Sequence, residues 1–115
     1  MNNYDYCPDK WVMLRFTHKG QDVYKILASF YGGYLDGDSW KLNSGVTKVE
    51  QDDKYYYFHG SSGSVYACHK ESYGMSMYAM SIYNKFLKQV REAEDSNMEL
   101  LYEDDTNFME LDYGE

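Results

Sequence analysis

The chain has 115 residues, of which 43% are hydrophobic and 18% aromatic, enough for one domain with its own core. Its two cysteines cannot form a disulfide framework, and a single proline excludes a proline-rich linker. No apolar run approaches the ~20 residues of a membrane-spanning helix, and the N-terminus lacks the basic start and apolar stretch of a signal peptide. We therefore expect one intracellular domain in a reduced, cytoplasmic setting.

The pattern of apolar residues predicts two strands at the start of the chain. Residues 11–18 place Val12, Leu14 and Phe16 on one face, which is the period of two expected of a strand. A hairpin turn is predicted over residues 19–22. Residues 23–31 are apolar on both faces, which predicts a central strand that is covered on both sides.

A loop rich in Gly and Asp is predicted over residues 32–40, because these residue types favour turns. The strands predicted beyond it span residues 40–42, 46–50, 55–59 and 64–70.

From Met75 the apolar spacing changes to three and four, which predicts an amphipathic helix over about residues 75–91. Ser72 or Ser76 can cap its start. The expected fold is α+β, with four to six antiparallel strands followed by one C-terminal amphipathic helix and an acidic tail. The strands form either a sheet with the helix over one face or a small half-open barrel.

The charge is divided unevenly along the chain, whose formal net charge is −8. Residues 1–91 contain 11 basic and nine acidic residues, whereas residues 92–115 contain ten acidic residues and no basic one. We therefore predict an α+β domain over residues 1–95 and an acidic-hydrophobic C-terminal segment over residues 96–115. The segment also carries apolar side chains, which could dock on the protein's own body, on a second copy or on a partner.

Our first hypothesis is a non-enzymatic inhibitor or adaptor that acts by binding a protein. The carboxylates of the C-terminal segment would mimic the phosphates of a nucleic acid and occupy a basic groove on a host protein. Surplus tyrosine is consistent with a protein interface, and direct nucleic-acid binding is not expected, because the body carries little net positive charge. The predicted partner-binding residues are Glu99, Tyr102, Glu103, Asp104, Asp105, Phe108, Glu110 and Asp112.

Two alternatives belong to other classes of function. One is a small-ligand or nucleotide-binding module built around the turn from Gly60 to Gly63, with His59, Ser61, Ser62 and His69 as ligand-binding residues. The other is a homo-oligomer in which the C-terminal segment docks on a neighbouring copy.

We predict no catalytic residue, metal or cofactor, and therefore no enzyme. Cys68 and His69 are adjacent, so they would point to opposite faces of a strand, whereas zinc needs three or four converging ligands. Asp36 to Ser39 resembles the start of a calcium loop, but Lys41 and Thr47 occupy the positions of its Gly and Glu. The Gly-x-Ser-x-Gly nucleophile elbow is absent from the sequence.

The stretch from Gly33 to Glu50, followed by Tyr57 to Lys70, resembles small uncharacterised proteins of tailed bacteriophages. The resemblance implies expression in the host cytoplasm and an accessory protein that binds and blocks a host protein. It brings no catalytic residues to this chain.

Overall fold

A computed structural model describes residues 3–32 and 37–114 of the chain. Positions 33–36, which belong to the predicted Gly-rich loop and include the first residue of the calcium-like stretch, lie outside the described residues. The described elements are β1 (Lys10–His18), β2 (Gln21–Phe30), β3 (Ser39–Leu42), β4 (Val46–Gln51), β5 (Tyr55–Gly60), β6 (Val65–His69), α1 (Met77–Glu92), β7 (Ser96–Leu100) and a 3-10 turn (Glu103–Asp105).

The described strands form two antiparallel sheets. One has four strands in the order β3-β2-β1-β7, and the other has three strands in the order β4-β5-β6. The predicted α+β class is confirmed. The strands make two layers rather than a closed barrel, and the helix is followed by β7, a seventh strand in the segment predicted as a tail.

The four-stranded sheet is the middle layer of the molecule. From β1, Trp11 and Met13 point into a core shared with the three-stranded sheet, whereas Val12 and Leu14 point into a second core under α1. The prediction that Val12 and Leu14 share a buried face of β1 is confirmed, and the opposite face, with Trp11 and Met13, is buried as well. The prediction that β2 is covered on both sides is confirmed, since Ile26 and Leu27 are both fully buried in opposite cores.

The turn between β1 and β2 is tighter than predicted. The pair His18–Gln21 closes the ladder, so only Lys19 and Gly20 form the loop. Both residues have positive φ, 50° and 80°, which is the backbone of a two-residue hairpin turn that suits the right-handed twist of strands.

The core between the two sheets is built around Trp11. Its ring lies 5.4 Å from the ring of Phe58 and 5.2 Å from that of Phe108, measured between centroids. The indole Nε1 donates a hydrogen bond to the carbonyl of His69 at 2.7 Å. The polar end of this buried ring is therefore satisfied, which its burial requires.

The helix α1 covers the other face of the four-stranded sheet. Of the two predicted caps, Ser76 is the one used, since its hydroxyl accepts a hydrogen bond from the Ala79 N–H at 3.0 Å. Ala79 and Ile82 are buried, and the Phe86 ring meets Trp40 of β3 edge to face at 5.6 Å. The helical spacing read from the sequence therefore marks the face that packs on the sheet.

The C-terminal segment docks on the protein's own body. β7 pairs with β1 from Leu14–Leu100 to His18–Ser96, and Met98 lies in the core under α1. Leu101 and Phe108 then enter the core between the sheets. The apolar residues of this segment are thus part of the fold, and both predicted units contribute to one set of cores.

Candidate functional site

Buried contacts hold the C-terminal segment on both sides of its most acidic stretch. Before that stretch, the Leu101 N–H donates to the Met13 carbonyl at 3.1 Å, and the Tyr73 hydroxyl donates to the Leu101 carbonyl at 2.6 Å. After it, Phe108 is only 2% exposed, and the Tyr113 hydroxyl donates to its carbonyl at 2.5 Å. The backbone between Leu101 and Phe108 is therefore tied to the core at both ends.

The acidic turn lies between these two anchors. Glu103, Asp104 and Asp105 form the 3-10 turn, and all three side chains are exposed. The Thr106 hydroxyl closes the turn by donating to the Tyr102 carbonyl at 2.7 Å. The Tyr102 side chain is 68% exposed, so an aromatic ring lies in solvent next to three consecutive carboxylates.

Three of the predicted partner-binding residues share one depression in the surface. Glu99, Tyr102 and Asp105 line a pocket of about 280 Å³ together with Arg15. Glu99 and Arg15 are directly paired across β7 and β1, and their side chains form an ion pair. Arg15 was not predicted from the sequence, because no local pattern links a residue of the first strand to one 84 positions later.

The pKa of Arg15 lies above its usual value. A hydrogen bond with Tyr24 is the largest cause, and the hydrogen bond and charge of Glu99 add to it. Arg15 is therefore a permanent cation whose charge partly offsets that of Glu99. The acidic turn, by contrast, carries three negative charges in succession. The turn is the more strongly negative part of this surface.

The remaining predicted partner residues divide into two groups. Glu110 and Asp112 are exposed beyond the second anchor, and the Asp112 carboxylate accepts a hydrogen bond from the Gly114 N–H at 3.0 Å. Phe108 is a core residue, with its ring 5.6 Å from Tyr73. In this structure it is therefore not available as an anchor for a partner.

The residues predicted for a small ligand do not converge. His59 pairs with Val65 at one end of the β5–β6 ladder, whereas His69 lies at the other end. The His59 Nε2 is 2.7 Å from a Glu50 carboxylate oxygen, and the pKa of Glu50 is lowered by that hydrogen bond first and by Lys48 next. The two histidines thus have separate environments and do not flank one site.

The Gly60–Gly63 turn uses its backbone donors internally. The N–H groups of Gly60, Ser61 and Gly63 donate to carbonyls of Ser64, Gly45 and Gly60. The Ser62 N–H donates to the Ser44 hydroxyl at 2.9 Å. Because these four donors already have acceptors, they do not form a cradle of free amides, and only the serine side chains remain to bind a ligand.

The geometry of the described residues also bears on metal binding and on membrane-spanning helices. Among the residues that the structure describes, no three His, Cys, Asp or Glu side chains form a group that could hold a metal ion. Within residues 3–32 and 37–114, no helix is both long enough and apolar enough to cross a membrane. Both cysteines are free; Cys7 is exposed and Cys68 is buried, and burial raises the pKa of the Cys68 thiol.

The chain was also compared with known proteins. No protein-family model matches it, and the comparisons with curated proteins and with solved structures return no match. The fold and the surface therefore define the class: an α+β protein whose described residues form two antiparallel sheets, one covering helix and an acidic turn anchored to the core.

Proposed function

We propose that the protein is a non-enzymatic inhibitor or adaptor that binds a basic surface of a partner protein. The binding residues are those of the acidic surface, which we define as Glu99, Tyr102, Glu103, Asp104, Asp105, Glu110 and Asp112. The observation that carries the proposal is the acidic turn at Glu103–Asp105, whose carboxylates are exposed while its two flanks are held by Leu101 and Phe108.

The anchoring of the turn supports this proposal energetically. A disordered acidic tail would lose backbone freedom on binding, at a cost of about 1–2 kcal/mol per ordered residue. Here folding has already ordered the backbone, so more of the electrostatic attraction contributes to affinity. The exposed ring of Tyr102, a residue type enriched in binding hot spots, adds a short-range contact to long-range charge.

The charge pattern indicates the kind of partner. Residues 92–115 contain ten acidic side chains and no basic one, which resembles the one-signed charge of a nucleic-acid backbone. A groove that binds nucleic acid is lined with basic residues, so it would attract this surface and accelerate association at low salt. With the bacteriophage resemblance, the proposed partner is a host protein that binds nucleic acid.

The test should change charge without changing the fold. Removing residues 96–115 is unsuitable, because it would also remove β7, Leu101 and Phe108 from the protein. We instead propose the triple variant E103Q/D104N/D105N, which keeps the shape of the turn and neutralises three exposed carboxylates. The matched control is D38N/D53N/E71Q, which removes the same charge from three other exposed positions.

The measurement is capture of partners from bacterial lysate by each full-length protein at about 0.05 M and about 0.5 M salt, where charge screening differs strongly. We expect a partner that the wild type and the control retain at low salt, that the turn variant loses, and that duplex DNA displaces. Equal capture by both variants would reject the acidic turn as the binding site. A captured species that is a second copy of this chain would favour self-assembly instead.

A further inference from the structure

A polar pocket lies between the β3–β4 connection and the β5–β6 turn, and none of its lining residues belongs to the acidic surface. Its volume is about 260 Å³. The residues that line it are Tyr6, Lys41, Leu42, Asn43, Ser44, Gly60, Ser62, Ser64 and Tyr66. Of the predicted ligand-binding residues only Ser62 belongs to it, so this pocket differs from the site expected from the sequence.

The polar groups of the pocket include several hydrogen-bond donors. Ser44, Ser62 and Ser64 contribute hydroxyl groups, and the Ser44 oxygen already accepts a bond from the Ser62 N–H, which leaves its own hydrogen to donate. Among the described lining residues, Lys41 alone carries a formal charge at neutral pH. Its ammonium lies 4.9 Å from the centroid of the Tyr6 ring, which keeps a positive charge beside the pocket.

Asn43, which also lines the pocket, adds a hydrogen-bond donor that has no partner among the described residues. Its side-chain oxygen accepts the Ile26 N–H at 2.7 Å, and its backbone N–H donates to the Ile26 carbonyl at 3.0 Å. The amide is thereby held in one orientation, with its Nδ2 buried and without a partner among the described residues. A buried donor without an acceptor contributes uncompensated positive potential, even where a bound molecule does not touch it.

Gly60 lines the pocket, and its lack of a side chain leaves space beside Ser44. A Cβ at this position would lie 3.1 Å from the Ser44 hydroxyl oxygen and 3.5 Å from the Asn43 Nδ2. A side chain at this position would therefore press on the Ser44 hydroxyl, whereas its contact with the Asn43 amide would be of ordinary van der Waals length. The backbone dihedral angles of Gly60 do not themselves require glycine, since its φ is not in the left-handed range.

We propose that this pocket binds the phosphate group of a small phosphorylated compound. Phosphate presents strong acceptor oxygens with negative charge, which suit three hydroxyl donors, one ammonium and a positively polarised wall. Tyr6 and Tyr66, whose ring centroids are 5.0 Å apart, provide aromatic surface for the rest of the molecule. This inference does not depend on the proposed function, because the two sites share no residue.

The test is a ¹H–¹⁵N NMR titration of the full chain with inorganic phosphate, with chloride and acetate arms at equal ionic strength. We expect saturable shifts in the backbone amides of residues 41–44 and 60–66 and in the Asn43 side-chain amide. Lys41→Gln should weaken phosphate binding by about tenfold, because a bond to a charged group is lost. An equal response to acetate or chloride would overturn the assignment to phosphate.

Matched variants separate the pocket from general charge effects. Ser62→Ala should weaken binding, whereas Ser61→Ala, its exposed neighbour that does not line the pocket, should not. Lys48→Gln is the corresponding control for Lys41→Gln, since Lys48 is exposed and lies on β4. The inference is rejected if phosphate gives no saturable shifts, or if each variant and its control bind alike.

Discussion

At the scale of a single residue, Tyr73 links β1 to Leu101, the first buried anchor of the C-terminal segment. Its hydroxyl accepts the Met13 N–H at 3.1 Å and donates to the Leu101 carbonyl at 2.6 Å. One oxygen therefore satisfies two backbone groups from β1 and from the first anchor of the C-terminal segment. Its ring also meets Trp11 edge to face at 4.7 Å, so the same residue contributes to packing.

Tyr73→Phe should destabilise the protein by about 1–3 kcal/mol at neutral pH, because both backbone groups lose their partner. The measurement is the free energy of unfolding in urea. Tyr78→Phe is the matched control, because Tyr78 is exposed on α1, and it should change the stability by less than about 0.5 kcal/mol. Equal stabilities of the two variants would contradict the bridging role.

The same hydroxyl predicts a pH dependence. Burial raises the pKa of Tyr73 to about 12 from its usual value of 10.0. A group whose pKa is raised by folding contributes stability that is complete below the unfolded pKa and is lost as the pH rises toward the folded one. The stability gap between wild type and Tyr73→Phe should therefore narrow between pH ~10 and ~12, and a constant gap would count against burial of the hydroxyl.

At the scale of elements, the C-terminal segment has two roles: it carries the exposed acidic residues, and it contributes apolar side chains to the cores. Its carboxylates are exposed, while Met98, Leu101 and Phe108 are buried in the two cores. Burial of these three side chains supplies several kcal/mol of hydrophobic stabilisation, which outweighs the few tenths expected from an exposed pair such as Arg15–Glu99. Apolar contacts therefore contribute more than the Arg15–Glu99 ion pair to the position of the acidic surface.

Phe108→Ala should cost about 3–5 kcal/mol of stability, the usual range for a large aromatic removed from a core. Met109→Ala is the neighbouring control; Met109 is 37% exposed, and its truncation should cost much less. Chemical denaturation measures both values. If the two substitutions destabilise equally, the segment is not anchored through Phe108, and the ordered acidic turn loses its physical basis.

At the scale of the whole molecule, the four-stranded sheet is shared by both cores. Trp11 reports on the core between the sheets, and Trp40 reports on the layer under α1 through its contact with Phe86. Because each face of one sheet supports a different layer, loss of either layer exposes the sheet that supports the other. The domain should therefore unfold as one unit.

This cooperativity can be measured with the variant Trp40→Phe, in which Trp11 is the remaining tryptophan. We expect the fluorescence of Trp11 and the far-UV circular dichroism of α1 to change at the same urea concentration. A helix signal that disappears at lower urea than the Trp11 signal would show that the two layers unfold separately.

Local sequence patterns were sufficient to predict much of the fold. The alternation in residues 11–18, the apolar run in residues 23–31 and the helical spacing after Met75 correspond to β1, β2 and α1, because these patterns reflect which side chains face a core. The exposure of the acidic residues also follows from their chemistry, since unpaired carboxylates are rarely buried.

The position of the C-terminal segment depended on contacts distant in sequence. Ser96–Leu100 is rich in polar residues and became a strand because β1 offered an unpaired edge. The acidic residues around Phe108 in the sequence suggested an exposed anchor for a partner. Phe108 is a core residue because its ring packs beside Trp11 and Phe58. The polar pocket likewise depends on two distant loops, so Lys41 and Ser62 share a site that no local spacing predicts.

Composition and periodicity thus determined the class of fold, the helix and the one-signed charge of the last residues, because each follows from neighbours along the chain. Tertiary packing decided that the charged segment is ordered, which of its aromatic residues is free, and where donors gather into a pocket. These properties depend on pairs that are distant in sequence. Arg15 and Glu99 meet only once β7 has paired with β1, and Asn43 and Gly60 meet only once the β3–β4 connection lies against β5.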